Sequence, residues 1–129
     1  MSIHVEIVTP SEIAHEGDCE MVSAPGVLGE FGVLDMHAQT LAVTQAGVVT
    51  MQSGDQVSKF VVGAGFAEVG PDRLTLLVDH CESAEGIDKA AAKADLDAAF
   101  GEMAKYNMDS EEGILARKQA ELAQARLSA

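Results

Sequence analysis

The chain has 129 residues, 47% of them hydrophobic and only 4% aromatic, so it can bury one aliphatic core with an appendage and does not have a disordered composition. Its formal net charge of −13 repels phosphate backbones and anionic headgroups, which argues against nucleic acid and membrane adsorption and favours a basic protein partner. No apolar run approaches the ~18 residues of a membrane span. The start "MSIHVEIVTP" carries neither a basic n-region nor an apolar h-region, so the chain is expected to stay in the compartment where it is made.

The charge is uneven. Up to Glu85 there are 13 acids against Lys59 and Arg73, whereas from Gly86 onward 8 acids meet 6 bases. The elements change at the same place. Ile3, Val5 and Ile7 alternate with His4 and Glu6, the period-two pattern of a half-buried strand. Further strand-like runs follow at Cys19–Ala24, Leu41–Gln45, Val48–Gln52, Val57–Val62, Phe66–Val69 and Leu74–Val78. Breakers separate them at Thr9-Pro10, Gly17-Asp18, Ser53-Gly54-Asp55, Gly63-Ala64-Gly65 and Gly70-Pro71-Asp72. Many short strands at this spacing predict an antiparallel β-sandwich of about ten strands over residues 1–85. Cys19 and Cys81 both fall in apolar runs and are expected to be free, buried thiols.

After "ESAEGI" the period becomes helical. Apolar side chains at Ala92, Leu96, Ala99, Met103 and Tyr106 fall on one stripe of a helix from Asp88 to Met108, which Asn107 can end. Asp109 with Glu112 three residues on reads as a capping box for a second helix reaching Leu127. Residues 86–129 are therefore predicted to form an antiparallel two-helix hairpin. Its facing positions are mostly alanine, and Ile114, Leu115, Leu122 and Leu127 are the expected large anchors, so the hairpin is expected to be detachable.

The residues offer little chemistry. The segment "PGVLGEFGVLDMHAQT" (Pro25–Thr40) has glycines at 26, 29 and 32 but no lysine and no following helix, and Glu30 would repel an anion. Its glycines are read as permitting turns and bulges that re-aim a strand edge. The histidines at 4, 15, 37 and 80 and the two cysteines show no Cys-x-x-Cys or His-x-x-x-His spacing, so no metal site is expected. No Gly-x-Ser-x-Gly elbow is present, and carboxylate pairs arise by chance among 21 acids, so no catalytic residues are assigned.

Several stretches together resemble one family. "HVEIVTP" at the start, "PGVLGEFGVLDMHA", "GVVTM" near residue 50, "VVGAGFAEVGPDRLTLLVD" and "IDKAAAKADL" follow in an order that resembles the epsilon subunit of bacterial F-type ATP synthases, the counterpart of the mitochondrial delta subunit. The resemblance implies a non-catalytic rotor subunit that couples the gamma subunit to the c-ring in the central stalk. Its place would be peripheral, on the cytoplasmic face of the inner membrane. It aligns Gly29, Glu30, Phe31, Gly32 and His37 with the partner-docking edge.

The resemblance also concerns the hairpin. Some members bind ATP through Ile/Leu-Asp-x-x-Arg-Ala with further arginines on the second helix. Here Ile87 and Asp88 match, Arg117 and Arg126 remain as candidates, and Ala91 stands where the motif has arginine, which removes a bidentate partner. No cofactor is therefore expected, ATP with Mg²⁺ being weakened. The resemblance implies hairpin contact with the alpha and beta subunits, but from Asp109 onward three bases meet four acids, so inhibition of hydrolysis is expected to be weak or absent. The rival reading is a free-standing nucleotide- or metal-binding regulator.

Overall fold

The structure, a computed structural model, describes residues 2–26, 29–34 and 40–129; for 29–34 and 40 it describes the backbone path alone. Among the described residues ten strands precede two helices: β1 (Ile3–Val8), β2 (Ile13–Cys19), β3 (Met21–Gly26), β4 (Gly29–Leu34), β5 (Thr40–Thr44), β6 (Gly47–Ser53), β7 (Gln56–Val62), β8 (Gly65–Gly70), β9 (Arg73–Val78), β10 (Cys81–Ser83), α1 (Lys89–Lys105) and α2 (Glu111–Ser128). The strand order is β10-β7-β6-β3-β5-β8-β9-β1-β2, with β4 added to β3. The sheet folds over at β3 and β5, which among the described residues pair at Gly26 and Thr44 alone, so its two halves face each other as a sandwich.

The alternation in β1 explains the core. Ile3, Val5 and Ile7 are fully buried, and they pack with Val22, Val49, Met51, Val62, Val69, Leu74, Leu76 and Val78 from both halves. One pairing departs from the antiparallel expectation: β1 runs parallel to β9, with Val5 beside Leu74 and Ile7 beside Leu76. A long excursion of chain separates these two strands, which is what a parallel pair requires.

Two elements correct the sequence reading. Gly17 and Asp18, read as a break, lie inside β2, where Gly17 pairs with Val5 and Asp18 with His4. The His15 ring lies beside Phe60 with centroids 4.6 Å apart, and a Cβ at Gly17 would meet its Nε2 at an ordinary contact distance of 3.6 Å, so Gly17 serves here as a plain strand residue rather than a turn. The glycine-spaced segment is likewise largely strand. β4 pairs with β3 from Gly26–Gly29 to Met21–Leu34, because glycines erase the side-chain alternation without preventing the backbone ladder.

The helices begin at identifiable caps. The Asp88 carboxylate accepts from the Ala91 N–H at 3.1 Å, and α2 is capped by the Ser110 hydroxyl, which accepts from the Gly113 N–H at 3.1 Å. Ser110, not Asp109, is thus the cap of α2. Gly113 is buried because the helix start lies against the Asn107 carbonyl, which any Cβ at 113 would strike. Ile114 and Leu115, expected as anchors, are 39% and 57% exposed. The seam is built instead from Leu96, Ala99, Ala120 and Ala123, flanked by Met103 and Leu127. Alanine faces let the two helices approach closely, and α2 in turn lies on β6 and β7. Among the described residues no helix is long and apolar enough to cross a membrane.

Candidate docking face

The register of β5, β8, β9, β1 and β2 sets the outward side chains in rows. Val43 pairs with Phe66, Phe66 with Leu77, Leu77 with Val8, and Val8 with Ile13. In-register residues of neighbouring strands share a face. The result is a continuous apolar row five strands wide on the side away from the core. Its members are not scattered surface residues: Val43 is 54% exposed, Phe66 51%, Leu77 46% and Ile13 58%, and Leu41 beside them is 70% exposed. A bulge between Ile7 and Val8 brings Ile13 into the row by shifting the pairing of β2. Covering each half-exposed member would be worth on the order of 1 kcal/mol. A contiguous apolar row on an otherwise acidic molecule is the mark of a surface made to be covered.

Polarity rises across the same face. The next row holds Leu41, Glu68, Thr75, Glu6 and Glu16, and the last holds Arg73, His4 and Asp18. His4 Nδ1 lies 2.8 Å from the Asp18 carboxylate, and its Nε2 lies 3.1 Å from Glu16 and 3.5 Å from Glu6. Hydrogen bonding to Asp18 first, and then to Glu16, holds the His4 imidazole above its ordinary pKa of 6.5. Arg73 Nη2 stands 3.9 Å from Glu6.

Gly29, Glu30, Phe31 and Gly32 lie on β4, the strand that borders β3 outside the main order; the side chains of Glu30 and Phe31 lie outside the described set. His37 lies outside the described residues altogether. Ile87, Asp88 and Arg126 line one recess of about 230 Å³ at the foot of the helices, together with Ala91. Arg117 lines a different groove, between the helices and β6, and its guanidinium stands 4.0 Å from Glu121. Arg117 and Arg126 therefore do not converge.

That recess is acidic. Glu82, Glu85, Asp88 and Asp95 line it against the single Arg126. Arg126 is already engaged: its Nε donates to Glu82 at 2.7 Å, and its Nη1 lies 3.8 Å from Asp95. Glu82 also faces His80 Nε2 at 2.9 Å. Burial would raise the Glu82 carboxyl, but the bonds from His80 and Arg126 outweigh it and hold the group below its ordinary value. Asp88 is committed to its cap. Cys19 is buried and Cys81 half-buried, both free, and burial pushes the Cys81 thiol up to about 11.

The outward row was missed in the sequence because Val43, Phe66 and Leu77 sit in apolar runs that show no side preference. The signal that could have found it lay in β9, where "RLTLLV" has more apolar residues than one buried face can take.

Residues 2–84 match the family described as ATP synthase, Delta/Epsilon chain, beta-sandwich domain. An ATP synthase epsilon chain of Magnetococcus marinus is 37% identical over 129 residues, covering 100% of this chain and 94% of its own length. One from Anoxybacillus flavithermus is 44% identical over 93 residues, 72% of this chain and 69% of that one. Among solved structures, a chain of the Euglena gracilis mitochondrial ATP synthase, described as OSCP/F1/c-ring, superposes with a TM-score of 0.81 at 19% identity, covering 96% of this chain and 78% of that chain.

Proposed function

From the premise that the chain belongs to the delta/epsilon family of ATP synthase chains, we propose that its outward apolar row is the surface by which it is fastened into the rotor. An epsilon chain is a structural and regulatory subunit, and the synthase's catalytic sites lie on other subunits. Its work is to transmit torque. A subunit that links the gamma subunit to the c-ring needs two attachments, and the molecule offers two candidate surfaces. The row Val43–Phe66–Leu77–Val8–Ile13 is apolar and spans five strands, suited to the larger, permanent contact with gamma. The glycine-spaced strand with Gly29, Glu30, Phe31 and Gly32, followed by His37, is the candidate edge for the c-ring loops.

The observation that carries the reading is the continuity of the apolar row. The solved relative whose fold this chain shares is described with its F1 and c-ring, which supports the choice of partners. We place the complex at the cytoplasmic face of a bacterial inner membrane, with the chain peripheral. The hairpin is proposed to neither bind ATP tightly nor brake hydrolysis strongly, on the acidity of its recess and on the occupied Arg126.

The test is a charge in the row. Phe66→Glu combined with Leu77→Glu should abolish co-purification with the gamma-containing F1 core while leaving the circular dichroism of the chain unchanged. Retained co-purification at wild-type yield would overturn the assignment of this face.

A further inference from the structure

The polar end of the sheet face has a property that the docking role does not use. His4, Glu6 and Glu16 each offer one ligand atom, and these atoms all lie within 4.8 Å of one another. The arrangement is fixed by backbone pairing: His4 stands opposite Asp18 and Glu6 opposite Glu16 across β1 and β2, and His4 and Glu6 are two residues apart on the same face. Three donors from two paired strands therefore converge without help from any loop.

The spacing suits one kind of ion. Two donors bonded to a tetrahedral zinc at about 2.1 Å lie about 3.4 Å apart. Here Nε2 of His4 is 3.1 Å from the Glu16 carboxylate and 3.5 Å from that of Glu6. The remaining ring nitrogen is directed as a ligating histidine's usually is: Nδ1 bonds the Asp18 carboxylate at 2.8 Å, the carboxylate–histidine arrangement that fixes the ring and leaves Nε2 for a metal. The three side chains are 32%, 22% and 51% exposed, so a cation can enter from solvent and keep a water as its fourth ligand. Arg73, 3.9 Å from Glu6 and 57% exposed, is the competing cation and is free to turn outward.

The geometry points to a binding site for a divalent transition metal of zinc type, with His4, Glu6 and Glu16 as ligands and Asp18 orienting the imidazole. An imidazole with two carboxylates favours zinc or a similar ion over magnesium and calcium, which take all-oxygen sets. The bound ion would tie β2, the terminal strand of the sheet order, to β1 and neutralise the acidic end of the face.

The experiment uses the full chain, stripped with chelator and titrated with zinc chloride. Calorimetry should give one site of micromolar affinity that excess magnesium does not displace. Zinc in hundredfold excess over Kd should raise Tm by about 5–10 °C. His4→Ala and Glu16→Gln, both surface substitutions whose folding circular dichroism checks, should each abolish binding. Asp18→Asn should weaken it about 10–100-fold. His80→Ala, remote from the cluster, should bind as the wild type does. Absence of zinc binding by the wild type would overturn the proposal, and so would binding that survives both His4→Ala and Glu16→Gln.

Discussion

Arg126 is the side chain through which the end of α2 is tied to the sandwich, and its removal gives a quantitative test. The Nε donates to Glu82 of β10 at 2.7 Å, across 44 residues of sequence, with the two side chains 25% and 31% exposed. An exposed ion pair is worth about 0.2–1 kcal/mol, and a hydrogen bond to a charged group about 1.5–3 kcal/mol. For a short but part-exposed contact we take about 1–2 kcal/mol, a factor of about 5–30 in the opening equilibrium. The seam of Leu96 with alanines supplies little reserve, so the loss should appear as local opening of the helices rather than global unfolding. The assay is amide hydrogen exchange of residues 89–128 in Arg126→Ala against wild type. Acceleration of that order is expected in both helices, with the exchange of β1 and β9 unchanged. The effect has a defined pH dependence. Glu82 has a folded pKa below its ordinary 4.5, so its stabilising contribution is fully present above that value and is lost as pH falls through the lowered folded value. The difference between wild type and variant, corrected for intrinsic exchange, should therefore be full at neutral pH and shrink as the pH falls through the lowered Glu82 value. Equal exchange in the two proteins at neutral pH would refute the latch.

Other consequences are local. Gly113→Ala places a methyl against the Asn107 carbonyl and should lower hairpin stability by about 1–3 kcal/mol; an unchanged melting curve would show that the turn relaxes freely. Cys81, with its thiol pushed up to about 11, should react with iodoacetamide at pH 8 far more slowly in the folded chain than in urea, and equal rates would contradict its burial. Removing residues 86–129 should leave the ATPase activity of the assembled complex little changed, whereas strong activation would show that the hairpin brakes hydrolysis.

How much of this was legible in the sequence depends on what each pattern encodes. Strict alternation in β1 specified both a strand and its buried face, and Ile3, Val5 and Ile7 are the centre of the core. The helical stripe held for Ala92, Leu96 and Ala99, because one-sided burial is a local property. Pairing is not local. Nothing in "HVEIV" indicates that Val5 meets Leu74 in parallel, and that parallel contact is what carries the apolar row across from β9 to β1. Glycine-containing strands were hidden for a related reason: β2 and β4 keep their ladders while the side chains that reveal period two are missing. The cluster of His4, Glu6 and Glu16 was invisible for the same cause, since its members are brought together only by the register of β1 on β2. At the hairpin, residue size alone points to Ile114 and Leu115 as anchors, but helices that pack through alanine put them outside.

The central claim is that the row through Phe66 lies buried against the rotor, and a photo-crosslinking residue at position 66 tests it in native membranes. The account predicts a light-dependent adduct with the gamma subunit, formed while the chain remains in the assembled synthase. Assembly at normal yield with no adduct to gamma would contradict it.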